Sequence, residues 1–512
     1  MTRVLGMLML LMSASMIFSV GWAVYDYFYF DSPWRVGSEV FRAFAAAMGI
    51  GAAAGAGLYA VGHGVKEHLG KREALLIVSL SWFVGAALAA LPFWLWAQYH
   101  SFTAGQDMGF YSFVNCYFEA MSGLTTTGAT ILQQIETIPR SLLFWRAFTH
   151  WLGGLGIVVL FVAVLPSLGA GTKRLVRLES TGISSDGVTP HMQESARSVL
   201  IIYLSFTVAQ VILMKLVGTQ TTWFSAIAHT FATLATGGYS TFNASAGALG
   251  PADQWIIFVF MLLAGVNFGL YGPLLKGKTQ QFFLDNELRA YLTIIAVGTI
   301  AVFASIYGTQ YHTTTGDIAP STFLQTFRDS AFQVVSIMTT TGFATVNFEE
   351  WSIIPQGVLI LLMFVGGCGG STGGGIKVIR ILGAIKIMWV ELERSFRPNV
   401  IRPCRVGTHS IDHYHRVGIL AYVLGIIVLF AVGAMALMLT ESSELMDGTT
   451  ALTASIATLN NVGPGFSRVG AIENYHWFSD AGKMIMCVLM ALGRLEVFSV
   501  LVIFMPRFWR SH

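Results

Sequence analysis

The sequence predicts an all-α integral membrane protein: four repeats of long helix, short re-entrant helix and long helix, set with pseudo-four-fold symmetry, behind two extra N-terminal spanning helices. Three observations carry this. First, the chain of 512 residues is 54% hydrophobic and 11% charged, about half the charged share of a soluble domain. Second, windows of about 20 residues with few or no charges recur along it, the length that crosses a hydrocarbon core. Third, Thr125-Thr126-Thr127-Gly128 has three later counterparts at similar intervals.

Taken in order, residues 4–30 and 37–61 read as two helices broken at Asp31-Ser32-Pro33. The first is long for a signal-peptide core and lacks a small-residue cleavage site, so it reads as an uncleaved helix. These form a 1–65 extension. Four units follow, at 66–170, 171–280 (with a preceding cytoplasmic segment), 281–400 and 401–512. Their paired spans are expected at 73–97 and 141–166, 196–218 and 252–275, 288–308 and 353–390, and 414–440 and 479–505. Between the spans lie short helices at 111–124, 222–234, 323–338 and 446–459, too short to cross a bilayer and suited to re-entry. Lys and Arg cluster at 66–72, 173–177, 276–289 and 377–416, whereas 98–110, 219–222, 309–322 and 441–448 carry none. By the positive-inside bias both termini are cytoplasmic, and the short helices enter from outside. About ten spanning helices and four re-entrant pore helices satisfy this alternation.

The tetrads are Thr125-Thr126-Thr127-Gly128, Leu234-Ala235-Thr236-Gly237, Thr339-Thr340-Thr341-Gly342 and Asn460-Asn461-Val462-Gly463. A recurrence at roughly 110 residues outranks any local assignment. Glycine-containing motifs echo each tetrad 24 to 30 residues later, at Gly153-Gly154-Leu155-Gly156, Gly265-Val266-Asn267-Phe268-Gly269, Gly366 to Gly375, and Gly493-Arg494. A single tetrad is equally a helix end with a glycine cap. Four copies on one side suggest loops lining a central pore. Glycine turns carbonyls toward a common axis, and a ring of carbonyls replaces a cation's hydration shell. The expected ion-binding backbone is then Thr126, Thr127 and Gly128; Ala235, Thr236 and Gly237; Thr340, Thr341 and Gly342; and Asn461, Val462 and Gly463.

Within the segment 353–390 lies a run containing Gly366, Gly367, Gly369, Gly370, Gly373, Gly374 and Gly375. Such a run holds no stable helix, since each glycine costs about 1 kcal/mol relative to alanine. The freed backbone must line a cavity or be buried in protein. A tight helix-packing surface is the competing reading; a phosphate loop fails, because Lys377 neither follows a glycine nor precedes Ser or Thr. The run is expected to gate the pore beneath the tetrads. Arg494, a charge inside the last span, is expected to face the ion path as an electrostatic barrier, the alternative being an ion pair with Glu496 or Glu119. Glu119 either draws cations or braces its loop. Asn267 and Lys377 sit at intramembrane breaks, where they can satisfy loose backbone groups.

Enzymatic signatures are missing from the sequence. Cys116, Cys368, Cys404 and Cys487 form no CxxC pair, and the 12 histidines form no HExxH. No nucleotide-binding fingerprint is present, so nucleotide sensing has to come from another chain. Basic loops at 172–197 and 391–416 are candidate docking surfaces.

The runs Met121 to Thr130, Met338-Thr339-Thr340-Thr341-Gly342-Phe343 and Asn460 to Gly465 resemble the filters of the Trk/Ktr/HKT superfamily of cation transporters. The two extra helices and Gly493-Arg494-Leu495-Glu496 are most similar to its bacterial TrkH/TrkG uptake subunits. The likeness implies a four-loop potassium filter with potassium ions held at the tetrads, potassium preference from glycine at all four positions, and no other cofactor in this chain. It implies a gate at the glycine loop and arginine, a homodimer in the bacterial inner membrane, contact with membrane lipid, and a cytoplasmic TrkA-type regulatory subunit that binds nucleotide. It implies no nucleic-acid partner. Passive conduction and proton- or sodium-coupled symport both remain open, as do a secondary solute carrier and a sodium-conducting member of the superfamily.

Overall fold

The computed structural model describes the chain apart from residues 29–36, 64–70, 101–108, 165–190, 219–220, 321, 399–403, 407–408, 411–412, 445, 496 and 511–512. Part of the first basic docking segment therefore lies outside the described residues, as does Glu496.

At the N-terminus, α1 (Thr2–Ser15) and α2 (Ile17–Phe28) run on through Met16 as one apolar span. Helix α3 (Ser38–Val61) packs along α1. Their backbones meet at glycine, since a Cβ on Gly6 would lie 2.5 Å from the Gly55 carbonyl oxygen. Small residues permit such an approach where lipid supplies no hydrophobic drive.

The first unit holds α4 (Lys71–Tyr99), α5 (Phe113–Leu124) and α6 (Arg140–Val164). The second holds α7 (His191–Val217), α8 (Trp223–Leu234) and α9 (Pro251–Ala264), followed by α10 (Tyr271–Leu275) and α11 (Thr279–Phe283). The third holds α12 (Asn286–Ile306), α13 (Phe323–Met338), α14 (Ile353–Phe364) and α15 (Val378–Phe396). An antiparallel ribbon of β1 (Arg405–Val406) and β2 (His409–Ser410) precedes the fourth, α16 (His413–Thr440), α17 (Gly448–Leu459) and α18 (Asp480–Arg494), with α19 (Phe498–Leu501) and α20 (Pro506–Trp509) beyond. Three of the short helices start at side-chain caps: Thr222, Thr322 and Asp447 accept the N–H groups of Ser225, Gln325 and Thr450. Such caps satisfy donors that have no partner within the helix.

The first span of every unit is an unbroken helix, but the second is interrupted each time. Helix α6 breaks at Gly156 (φ 65°), and α9 and α10 bend by 88° at residues 265–267. Helices α14 and α15 are separated by the whole glycine run, and α18 stops at Arg494 before a left-handed Val497 (φ 62°). Among the described residues, six helices are long and apolar enough to cross a membrane unbroken, or seven with the bent pair, and the other expected spans are ones that break or fall short of that length. The glycine echoes mark where the breaks fall.

The N-terminal hairpin is fastened by charge. Asp26 on α2 is buried and accepts from Arg140 at 3.3 Å, while the same guanidinium lies 5.7 Å from the Phe224 ring on α8. Arg140 thus touches the extension and two units together. Replacing Asp26 by Ala should destabilise the detergent-solubilised protein by about 1–3 kcal/mol, read as a lower unfolding midpoint. An unchanged midpoint would show that the hairpin docks through apolar contact alone.

Candidate functional site

Each short helix ends in the same turn. The N–H groups of Thr126 and Thr127 bond back to Gly123 and Ser122, those of Thr236 and Gly237 to Thr233 and Ala232, those of Thr340 and Thr341 to Ile337 and Ser336, and those of Asn461 and Val462 to Thr458 and Ala457. This is the paired bonding of a Schellman cap, whose left-handed position usually holds glycine. Here that position is Thr126, Thr236, Thr340 and Asn461, with φ of 53°, 54°, 59° and 56°. A β-branched residue in that region is a genuine outlier and costs about 1–3 kcal/mol. Three threonines held there in equivalent turns point to a functional constraint.

A left-handed glycine follows two residues later in each copy: Gly128, Gly238, Gly342 and Gly463, with φ of 83°, 78°, 79° and 97°. In the second copy the glycine is therefore Gly238, one residue beyond the Gly237 expected from sequence. Gly237 occupies the place of Thr127. Two adjacent glycines make the two registers alike in the sequence, and the backbone conformation shifts the expected one by a residue.

The turns close on one another. A Cβ on Gly128 would lie 2.1 Å from the Gly237 oxygen, one on Gly238 would lie 2.0 Å from that of Thr341, and one on Gly342 would lie 2.1 Å from that of Val462. A Cβ on Gly463 would lie 2.5 Å from the Thr127 oxygen, which returns the circuit to the first unit. Four glycines thus abut four carbonyls in a closed ring. The seam between the fourth and first units is reinforced by Asn461, whose Nδ2 donates to the Thr127 hydroxyl (2.9 Å) and to the Met490 carbonyl (3.0 Å).

A buried ion pair braces the ring from behind. Arg146 Nε donates to Glu119 at 2.5 Å, and its Nη1 donates to the Ser240 carbonyl at 2.8 Å. Glu119 also accepts from the Ile131 N–H and the Thr130 hydroxyl, both at 2.9 Å. The Arg146 guanidinium stacks 3.4 Å from the Tyr239 ring centre, and the Tyr239 hydroxyl donates to the Glu119 carbonyl. Glu119 therefore braces the chain leaving the first turn. Arg146 went unnoticed in the sequence, although a lone charge inside an apolar span is itself a signal.

Beneath the ring, the glycine run is an ordered and mostly buried loop. The Gly374 N–H donates to the Thr340 hydroxyl at 2.7 Å, and a Cβ on Gly374 would lie 2.5 Å from the Asn460 oxygen. The loop pairs with the break in the second unit through Cys368 N–H to the Gly265 carbonyl and Phe268 N–H to the Gly370 carbonyl, at 2.8 and 3.1 Å. Lys377 Nζ donates to the Gly373 carbonyl, and Asn267 Oδ1 accepts from the Gly269 N–H, so both answer loose backbone as expected. Glu119 is committed to Arg146 rather than to Arg494, and Glu496 lies outside the described residues; the Arg494 guanidinium donates to the Thr372 carbonyl (2.7 Å) and the Gly153 carbonyl (2.6 Å). It joins the loop to the first unit. The neighbouring glycines allow close packing there, since Cβ atoms on Gly153 and Gly493 would collide with the Leu124 and Leu459 carbonyls.

At the outer rim of the ring, Glu349 reaches the turn containing Gly470, where an added Cβ would lie 2.0 Å from its Oε1. Burial, with the nearby carboxylate of Glu473, pushes Glu349 from 4.5 up to about 7. Between those values the folded state holds a proton that the unfolded chain has released, so folding stability falls as pH rises from about 5 to 7. Unfolding midpoints of the wild type and Glu349→Gln should therefore diverge over that window, with the wild type losing more as pH rises. Parallel profiles would show that Glu349 does not titrate there.

Comparison with known proteins agrees with this geometry. Residues 42–511 match the family described as TrkH, cation transport protein. The chain is 35% identical to the Trk system potassium uptake protein TrkH of Escherichia coli K12, covering 100% of this chain and 99% of that protein. It is 30% identical to the TrkG protein of the same organism, covering 86% of each. The crystal structure of the potassium transporter TrkH from Vibrio parahaemolyticus superposes with a TM-score of 0.82 at 32% identity, over 99% of both chains. The chain belongs to the TrkH family of cation transport proteins: it is a multi-pass membrane transporter and not an enzyme.

Proposed function

We propose that this protein takes up potassium ions across the bacterial inner membrane, with the ring of four turns as its selectivity filter. The observation that carries the reading is the closed circuit of left-handed glycines against neighbouring carbonyls. Its relatives' description as potassium uptake proteins agrees. The carbonyls at Thr126, Thr127, Thr236, Gly237, Thr340, Thr341, Asn461 and Val462, with those of the ring glycines, would exchange for the ion's water shell; Ala235, expected in this set from the sequence, falls instead at the place of Thr125. Because the coordinating atoms are backbone, the side chains are free to differ between copies, while the glycines are not.

The loop from Gly366 to Gly375 is the gate. Its hydrogen bonds to Thr340 and to the Arg494 guanidinium, and its contact with the Asn460 carbonyl, support this reading. Arg494 adds a positive charge beside the path and holds the loop against the first unit. Large apolar side chains exposed on the outer helices, such as Leu216, Ile353 and Leu439, suit contact with lipid. Both termini are cytoplasmic in this reading, the protein acts as a homodimer, and a nucleotide-binding TrkA-type partner regulates it from that side.

In an uptake-deficient strain this gene should restore growth at limiting potassium. Gly128→Ser and Gly342→Ser should abolish or strongly reduce that rescue while the protein still reaches the membrane, because no Cβ fits the ring. Rescue retained by both variants would rule out the ring as the filter. With purified protein in liposomes, deletion of residues 370–374 and Arg494→Ala should each raise ion flux several-fold. A folded deletion variant with unchanged or lower flux would rule out the loop as the gate.

A further inference from the structure

The glycine loop has one more side-chain grip, from a residue outside the ring and its braces. Glu287 is buried at the second position of α12, and its Oε1 accepts the Gly369 N–H at 2.6 Å and the Ile379 N–H at 3.0 Å. Those two amides flank residues 370–378, which include most of the proposed gate. One carboxylate oxygen therefore closes the base of the loop, and it also satisfies an N–H left free at the start of α15. Both bonds are charge-assisted, the stronger class of hydrogen bond.

Other grips come from elsewhere: Thr340 from the turn above, Arg494 from α18, Lys377 from the loop's own exit, and the backbone of the break after α9. Glu287 reaches in from the opposite side, at the end of α12 farthest from the outer turns. Its helix is pinned one residue earlier, where Asp285 accepts the Leu288 N–H at 2.8 Å. Just before that cap lies α11, joined to it through the Asp285 N–H to the Phe282 carbonyl. This corner also carries the exposed Lys276 and Lys278. A displacement of the corner moves Glu287, and through Glu287 it moves Gly369 and the start of α15 together.

We propose that Glu287 is the positioning residue that latches the glycine loop in its blocking place and couples it to the corner at residues 276–285. The proposal rests on reading that loop as the gate. Neither composition nor spacing marks Glu287 in the sequence, where it looks like an ordinary acidic residue in the first turn of a helix.

Ion flux into liposomes carrying the full chain alone tests this. Glu287→Ala removes both bonds and should raise flux at least tenfold, about the factor for a single charge-assisted hydrogen bond. Glu287→Gln keeps an acceptor oxygen and should stay nearer the wild type, a rescue that a general loss of folding would not produce. Glu287→Asp, one methylene shorter, supplies the same test if the alanine variant fails to insert. A second readout is independent of transport. Cys368 is buried beside Gly369, so with Cys116, Cys404 and Cys487 replaced by Ser, its labelling by a small thiol reagent should accelerate in Glu287→Ala and not in Glu287→Gln. In a chain lacking residues 370–374, Glu287→Ala should add nothing to flux. If that deletion raises flux but Glu287→Ala and Glu287→Asp leave flux and labelling unchanged, the latch is wrong and the gate stands. If the deletion itself leaves flux unchanged, the gate reading falls and the latch falls with it.

Discussion

Backbone amides and carbonyls released from a helix inside a bilayer have no water to turn to, and this constraint governs the whole centre of the protein. Four short helices end within the protein, and four long ones break there. The loose groups answer one another. The break after α9 pairs with the glycine loop, and the loop's amides go to Thr340 and Glu287 while its carbonyls go to Arg494 and Lys377. The ring of turns and the loop beneath it are therefore one hydrogen-bonded body, and neither is built without the other.

Much of this architecture was legible in the sequence. Charge-free runs placed the first span of each unit within a few residues, and α13 was bounded correctly at Phe323–Met338. Hydropathy alone could not show that every second span is broken: the glycine run exposed the third, but Gly156 lies in an otherwise apolar stretch that scores as membrane. The glycine echoes carried that information, but their meaning depends on which carbonyl lies opposite, and opposition is a three-dimensional fact. The same holds for Gly237 and Gly238, which only the φ angles separate.

Site residues divide along similar lines. The tetrads and Arg494 stood out because a repeat and an intramembrane charge are visible one residue at a time. Glu119 was visible but ambiguous, and its partner Arg146 decided it: a carboxylate committed to a guanidinium, an amide and a hydroxyl is a brace. The helix-cap reading of the tetrads, set against a pore loop in the sequence, is compatible with it, since each turn is a Schellman cap. The cap is the turn, and in the proposed filter its unusual left-handed threonines would present the carbonyls.

The seam held by Asn461 bears on how the protein is made. Its partner, Thr127, lies in the first unit, while Asn461 and Met490 belong to the last. A ribosome delivers these more than 300 positions apart. Until the fourth turn arrives, the first three form an open arc in which the Thr127 carbonyl lacks Gly463 and Gly342 lacks the Val462 carbonyl. Insertion of the C-terminal helices is thus the step that completes the structure, and a chain stopped short of it leaves unmatched backbone in the membrane, a feature that quality-control proteases can recognise.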